Sequence, residues 1–149
     1  HPVTGLTPEY ANFDGSPWMA AWHDRSGDFM ADAWRTAMNW SLDWSWWAAD
    51  PRQPELSDRL QGFFSSQGIS NYPSQYTLSG VPLNSERSVG LIAMNAAASL
   101  AATHPRAREF VQDLWNAPFP TGRYRYYDGM LYLLAALQCS GEFRMWPPQ

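Results

Sequence analysis

"GDFMADAWRTAMNWSLDWSWW", residues 27–47, is the stretch whose reading decides the fold. Five tryptophans share it with Asp28, Asp32, Arg35, Asn39 and Asp43. On a wheel at about 100° per residue, those polar groups and Thr36 fall within roughly a third of the circumference. The remaining surface is Phe29, Met30, Trp34, Met38, Trp40, Trp44 and small side chains, which predicts a helix buried on most of its sides. Two readings of the polar stripe compete: a solvent-facing edge, or a row of groups aimed at a polar ligand. Solvated faces favour long Glu, Lys and Gln, whereas this stripe uses short Asp, Asn and Thr, which are poorer helix formers. Asp32 and Arg35 sit three apart, so their side chains can meet. The cation would orient the carboxylate and favour its charged form. That suits a general base and a structural ion pair alike.

Working outward, the helical pattern runs from Asp28 to about Ala49, where Asp50-Pro51 ends it. A second helix is expected over Pro54–Ser66, with Leu56, Leu60, Phe63 and Phe64 on one face and Gly68 as its stop. "YTLSGVPL" within the following loop reads as a small hairpin about Ser79-Gly80. A third helix opens near Asn84 or Ser85 and continues through "GLIAMNAAASLAA" to Thr103, its small side chains inviting close neighbours. "HPRAREFVQDLWNAP" gives a fourth, with Thr103 as its candidate cap. The last runs from about Tyr126 or Asp128 to Cys139 and stops at Gly141. Five helices, one token hairpin and no βαβ alternation make an all-α chain.

The composition fits a packed domain: 149 residues, 45% hydrophobic and 15% aromatic, far too rich in core-formers for disorder. Net charge is −4, and all ten basic residues are scattered arginines. Nucleic acid and anionic membranes, which ask for a basic patch, are not expected partners. No apolar run reaches the roughly 20 residues of a membrane span. The chain opens His1-Pro2-Val3 without a Met, a charged n-region or an apolar h-region, and so reads as a processed product or a piece of something longer.

His1, His23 and His104 show no metal-ligand spacing, and the lone Cys139 reads as a small buried hydrophobe. Neither a G-x-S-x-G, a phosphate loop nor a dinucleotide fingerprint is present. His23-Asp24 reads as a loop pair. Aromatics offer a more useful hint. Tyr10, Trp18 and Trp22 lie in loop sequence, and Tyr124, Tyr126 and Tyr127 cluster in "GRYRYYDG". Flat apolar faces with polar tips suit rings whose edges carry hydroxyls, and sugars have that shape. Core packing is the competing reading for most of the nine tryptophans.

"DAWRTAMNWSLDW", together with "NSERSVGLIAMNAAASLAATHPRAREFVQDLWNAPFPTGRYRYYDGMLYLLAALQCSGEFRMW", resembles glycoside hydrolase family 8. The likeness is strongest to its branch of xylanases and reducing-end xylose-releasing exo-oligoxylanases, and it runs from about His1 to Trp146. It implies an (α/α)6 barrel, inverting hydrolysis of β-1,4-linked sugars and no cofactor. Asp32 matches the general base, the Asp of the Asp-Ala-x-Arg block, and Arg35 of that block would bind sugar and hold the Asp in place. Tyr124 and Tyr127 match the block lining the sugar cleft, with Trp18 and Trp22 as further sugar-binding candidates. A full barrel of this kind needs more helices than five, and Glu9, Glu55, Glu86, Glu109 and Glu142 match no acid motif. The resemblance therefore implies that residues 1–149 are the C-terminal part of one catalytic barrel. The expected partners are xylan or xylo-oligosaccharide and the N-terminal half of the same enzyme, or a second copy. The rival from another class is a non-catalytic α-helical module that binds carbohydrate or protein through exposed aromatics.

Overall fold

Helical periodicity along the chain becomes five α-helices in the structure, a computed structural model that describes residues 1–146. They are α1 (Arg35–Trp47), α2 (Arg52–Gln67), α3 (Val89–Ala98), α4 (Ala107–Asn116) and α5 (Arg125–Cys139), with a 3-10 turn over Ala31–Trp34 leading into α1. Among the described residues the β pairing is confined to isolated bridges, so the chain is all-α. No helix among them is long and apolar enough to cross a membrane.

The small-residue helix α3 is the hub, packed against α1, α2, α4 and α5. Every residue from Gly90 to Ala98 is buried, and alanine at 93, 96, 97 and 98 lets the neighbours close in. Phe110 and Leu114 of α4 and Leu131 and Ala135 of α5 complete that side of the core. Polar residues bridge α1, α2 and α3 in pairs. Trp40 Nε1 donates to Ser57 Oγ at 2.8 Å, and Gln61 Nε2 donates to the Asn95 carbonyl at 3.0 Å and to Ser99 Oγ at 2.8 Å.

Element ends depart from the sequence reading where side chains are engaged elsewhere. The third helix starts at Val89 with Ser88 as its cap, not at Asn84 or Ser85. The Asn84 amide is instead committed to the loop, accepting from Gln75 N at 3.2 Å and donating to Ser74 Oγ at 2.9 Å. That helix also ends at Ala98, short of Thr103: the N–H groups of Ser99, Leu100 and Ala101 bond three residues back in turns, and the Asp58 carboxylate then captures the Thr103 and His104 N–H groups at 2.6 and 2.7 Å. Thr103 is therefore spent on Asp58, and Arg106 occupies the cap position of α4.

The expected hairpin survives as a turn without a ladder. Thr77 N bonds the Val81 carbonyl and Leu83 N the Gln75 carbonyl, each at 2.9 Å, around a Tyr76–Pro82 bridge. It does not extend because the Gln75 N–H is taken by the Asn84 side chain and the Val81 N–H by Thr77 Oγ1.

α1 is less covered than its apolar circumference suggests. Only Ala37 and Ser41 are fully buried in it, while Trp46 and Trp47 stand exposed. On α5, Tyr126, Met130, Leu133 and Leu137 form a second exposed apolar stripe at helical spacing. Cys139, at the end of α5, is partly buried, and that burial pushes its thiol up to about 11.

Candidate active site

The turn that carries Asp32 is fixed from below. Phe29 and Tyr76 exchange backbone hydrogen bonds at 2.8 and 3.0 Å, and both side chains are buried. Their rings join Phe63, Phe64 and Tyr72 in one aromatic cluster, with centroid separations from 4.7 to 5.9 Å. Such pairs add about 0.5–1.5 kcal/mol each beyond the area they bury. From that anchor the chain passes through Ala31, whose φ of +34° lies in the left-handed region. This conformation costs an L-residue roughly 1–2 kcal/mol. The buried Ala33 and Trp34 that follow hold it in place.

The strained turn presents Asp32 with its side chain 44% exposed. Arg35 Nη2 lies 2.8 Å from Asp32 Oδ1, and the Tyr127 hydroxyl donates to the same oxygen at 3.2 Å. Oδ2 has no hydrogen-bond partner among the described residues. Burial, and after it the charge of Asp32, pushes the Tyr127 phenol above its ordinary range. At neutral pH it is therefore a donor. The polar stripe divides: Asp32 and Arg35 pair at the rim of a cleft that Ala31 and Tyr127 line but they themselves do not, while Asn39 and Asp43 are exposed and Asp43 accepts from Gln53 Nε2 at 2.6 Å.

The cleft has a volume of about 320 Å³, within the range of small-ligand sites. Ala31, Trp34, Tyr124 and Tyr127 line it together with Glu9, His23, Glu86, Arg87, Ser88 and Asp128. Tyr124 is exposed, with the Arg123 guanidinium 5.4 Å over its ring. Trp18 and Trp22 do not line the cleft. They reach it through other rings: Trp22 meets Trp18 edge-on at 5.5 Å, Trp18 stacks on Tyr10 at 5.8 Å, and Tyr10 meets His23 edge-on at 5.9 Å. The rings thus lead away from one end of the cleft.

Several lining residues escaped sequence reasoning. His23 pairs with Glu9, Nε2 to Oε2 at 2.7 Å, and not with its neighbour Asp24. Asp128 Oδ1 accepts from the Ser88 hydroxyl at 3.1 Å. Burial pushes the Asp128 carboxyl up, against the opposing pull of Ser88 and the Gly90 N–H. Glu9 and His23 lie fourteen residues apart in irregular loop, and Ser88 and Asp128 forty apart, so no spacing announces either pair. Among the described residues no three His, Cys, Asp or Glu side chains gather to hold a metal ion.

The family model of the glycosyl hydrolases family 8 matches residues 1–141 of this all-helical chain. The chain belongs to that family, whose (α/α)6 barrel it represents in part. More particularly, it is 47% identical to a reducing-end xylose-releasing exo-oligoxylanase from Paenibacillus barcinonensis, covering 98% of this chain and 39% of that protein. A xylobiose complex of a family 8 protein from Teredinibacter turnerae superposes with a TM-score of 0.95 at 53% identity, over 99% of this chain and 38% of the other. A xylohexaose complex of a catalytic-mutant xylanase from the same organism superposes at 0.93, also at 53% identity, with the same coverage of both chains. The chain thus spans about two-fifths of the length of the relatives it matches.

Proposed function

We propose that this chain is the C-terminal part of a family 8 barrel that hydrolyses β-1,4-xylosidic bonds in xylan or xylo-oligosaccharides with inversion, and that Asp32 is its general base. One observation carries the reading: Arg35 and Tyr127 both engage Asp32 Oδ1, which leaves Oδ2 to take a proton. The xylose-based names and ligands of the relatives support the substrate class.

The chemistry follows from what inversion requires. Two carboxyl groups flank the bond about 6.5–9.5 Å apart, with a water between the base and the anomeric carbon. Asp32 Oδ2 removes the water's proton as its oxygen attacks, while Arg35 and Tyr127 keep the carboxylate from turning. A carboxylic acid protonates the departing oxygen. That acid and the far wall of the cleft come from the remaining part of the barrel. Tyr124 and Tyr127 supply ring faces and hydroxyls to the sugar, and Arg35 a charged donor. Trp18 and Trp22 extend the aromatic surface outward from the Glu9–His23 end.

The test is Asp32→Asn in the full-length enzyme. Turnover of xylohexaose should fall by roughly 10²–10⁴-fold, the usual contribution of a general base. The circular dichroism spectrum should not change, and wild-type product should first appear by proton NMR as the α-anomer. Unchanged turnover, or β-anomer as the first product, discards the assignment.

A further inference from the structure

The first turn of α5 has no side-chain cap, since Tyr124 at its N-cap bonds nothing there and residues 121–126 are exposed. Two consecutive residues of that turn nevertheless reach separate elements. The Tyr127 hydroxyl goes to Asp32, and its ring lies 6.1 Å from that of Trp34. Asp128 Oδ1 accepts from the Ser88 hydroxyl at 3.1 Å, while Ser88 Oγ itself accepts the Gly90 N–H at 3.1 Å and so caps α3. The approach is as close as the chain permits. A Cβ on Gly90 would lie 2.7 Å from Asp128 Oδ1, 3.1 Å from Leu131 Cδ1 and 3.2 Å from Trp34 Cζ3. Glycine at this position is what lets the start of α3 seat against α5 and the Asp32 turn together.

We propose that Asp128 is a positioning residue: its hydrogen bond to Ser88 pins the first turn of α5 to the buried end of α3 and thereby holds the Tyr127 hydroxyl on Asp32. The inference rests on the reading of Asp32 as the base. The physical reason is leverage. Tyr127 precedes Asp128 by one residue on an uncapped turn, and at 3.2 Å its O–H···O hydrogen bond is longer than the usual range of about 2.5–3.0 Å. A turn that frays therefore loses that contact first, and a base that swings away from its water acts on fewer encounters.

In the full-length hydrolase with xylohexaose, Asp128→Ala should lower kcat by roughly 10–100-fold, the cost of an ångström-scale misplacement. KM should rise by less than kcat falls, because the Tyr124 and Tyr127 contacts to the sugar loosen while the hold on Asp32 is lost. Asp128→Asn, whose amide oxygen still accepts from Ser88, should recover most of that loss. In a Tyr127→Phe background the hydroxyl is already gone, so Asp128→Ala should cost no more than about twofold further. Were Asp128→Ala to fold poorly, Ser88→Ala removes the donor together with the α3 cap, and the same cycle against Tyr127→Phe separates the two, since a capping cost alone is equal with and without the hydroxyl.

An equal loss with and without the Tyr127 hydroxyl overturns the proposal, as does an Asn variant no better than Ala. A KM effect with kcat intact also overturns it, by making Asp128 a direct sugar ligand. Full activity of the Asp128 variants beside an inactive Asp32→Asn removes this inference alone, whereas an active Asp32→Asn removes the base assignment beneath it.

Discussion

At Asp32 the guanidinium of Arg35 and the phenol of Tyr127 converge on one carboxylate oxygen, and the strained Ala31 stands immediately before it. Backbone strain of this kind persists where surrounding structure over-determines it, and such positions cluster at functional sites. The Asp32–Arg35 pair can be tested for purpose as well as geometry. Both side chains are nearly half exposed, so as a structural ion pair it is worth at most about 1 kcal/mol. Arg35→Ala should therefore cost no more than about 1 kcal/mol of stability in denaturant titration. The same variant should lower kcat by more than about tenfold, since an oriented charge near a reacting water contributes far beyond its share of folding. A loss of stability without a loss of kcat would return the pair to a structural role. This pair was legible in the sequence from its three-residue spacing, which the 3-10 turn keeps although the α-helix expected from Asp28 begins only at Arg35, the Phe29 backbone being paired with Tyr76. Tyr127 lies ninety-five residues from Asp32; the tyrosine cluster and the resemblance both marked it for the sugar cleft, but nothing in the sequence placed it on Asp32. Glu9, His23, Ser88 and Asp128 carry no comparable mark, since each finds its partner through the folded chain.

Among the elements, α3 determines how closely everything else approaches. Its alanines are fully buried, and a core at native density does not accept added carbons without moving helices. Ala97→Leu should destabilise by about 1–3 kcal/mol or more, read as a lowered melting temperature. Little or no shift would mean that α3 is not packed as described. The existence and order of the five helices could be read from periodicity and stop signals: Gly68 and Gly141 stand after α2 and α5 at φ of +89° and +79°. Their boundaries were less readable, because a capping residue type is only an offer. Asn84 and Thr103 have the right chemistry to cap, but tertiary partners claim both. The hairpin failed for a related reason, its outer N–H groups being satisfied by side chains rather than by a facing strand.

Taken whole, the molecule buries one side of its helices and leaves another side open. Trp46 and Trp47 of α1, and Tyr126, Met130, Leu133 and Leu137 of α5, are exposed, with Trp46 stacked on Phe143 at 5.7 Å. Exposed apolar side chains gathered at helical spacing mark an interface. The reading of the chain as part of a barrel assigns that surface to the helices that complete the ring. Native mass measurements on the chain alone should find self-association, and co-production with the complementary part should yield a defined one-to-one complex. A well-behaved monomer that ignores that part would count against the barrel reading. The base assignment is tested most directly by Asp32→Ala in the full-length enzyme supplied with azide. Azide is already an anion at neutral pH and attacks without surrendering a proton, so it bypasses whatever the missing carboxylate did. The account predicts a variant nearly inert in buffer that azide revives, with α-xylosyl azide as the product seen by NMR. Undiminished hydrolysis without azide, or no recovery with it, would contradict the claim that Asp32 activates the attacking water.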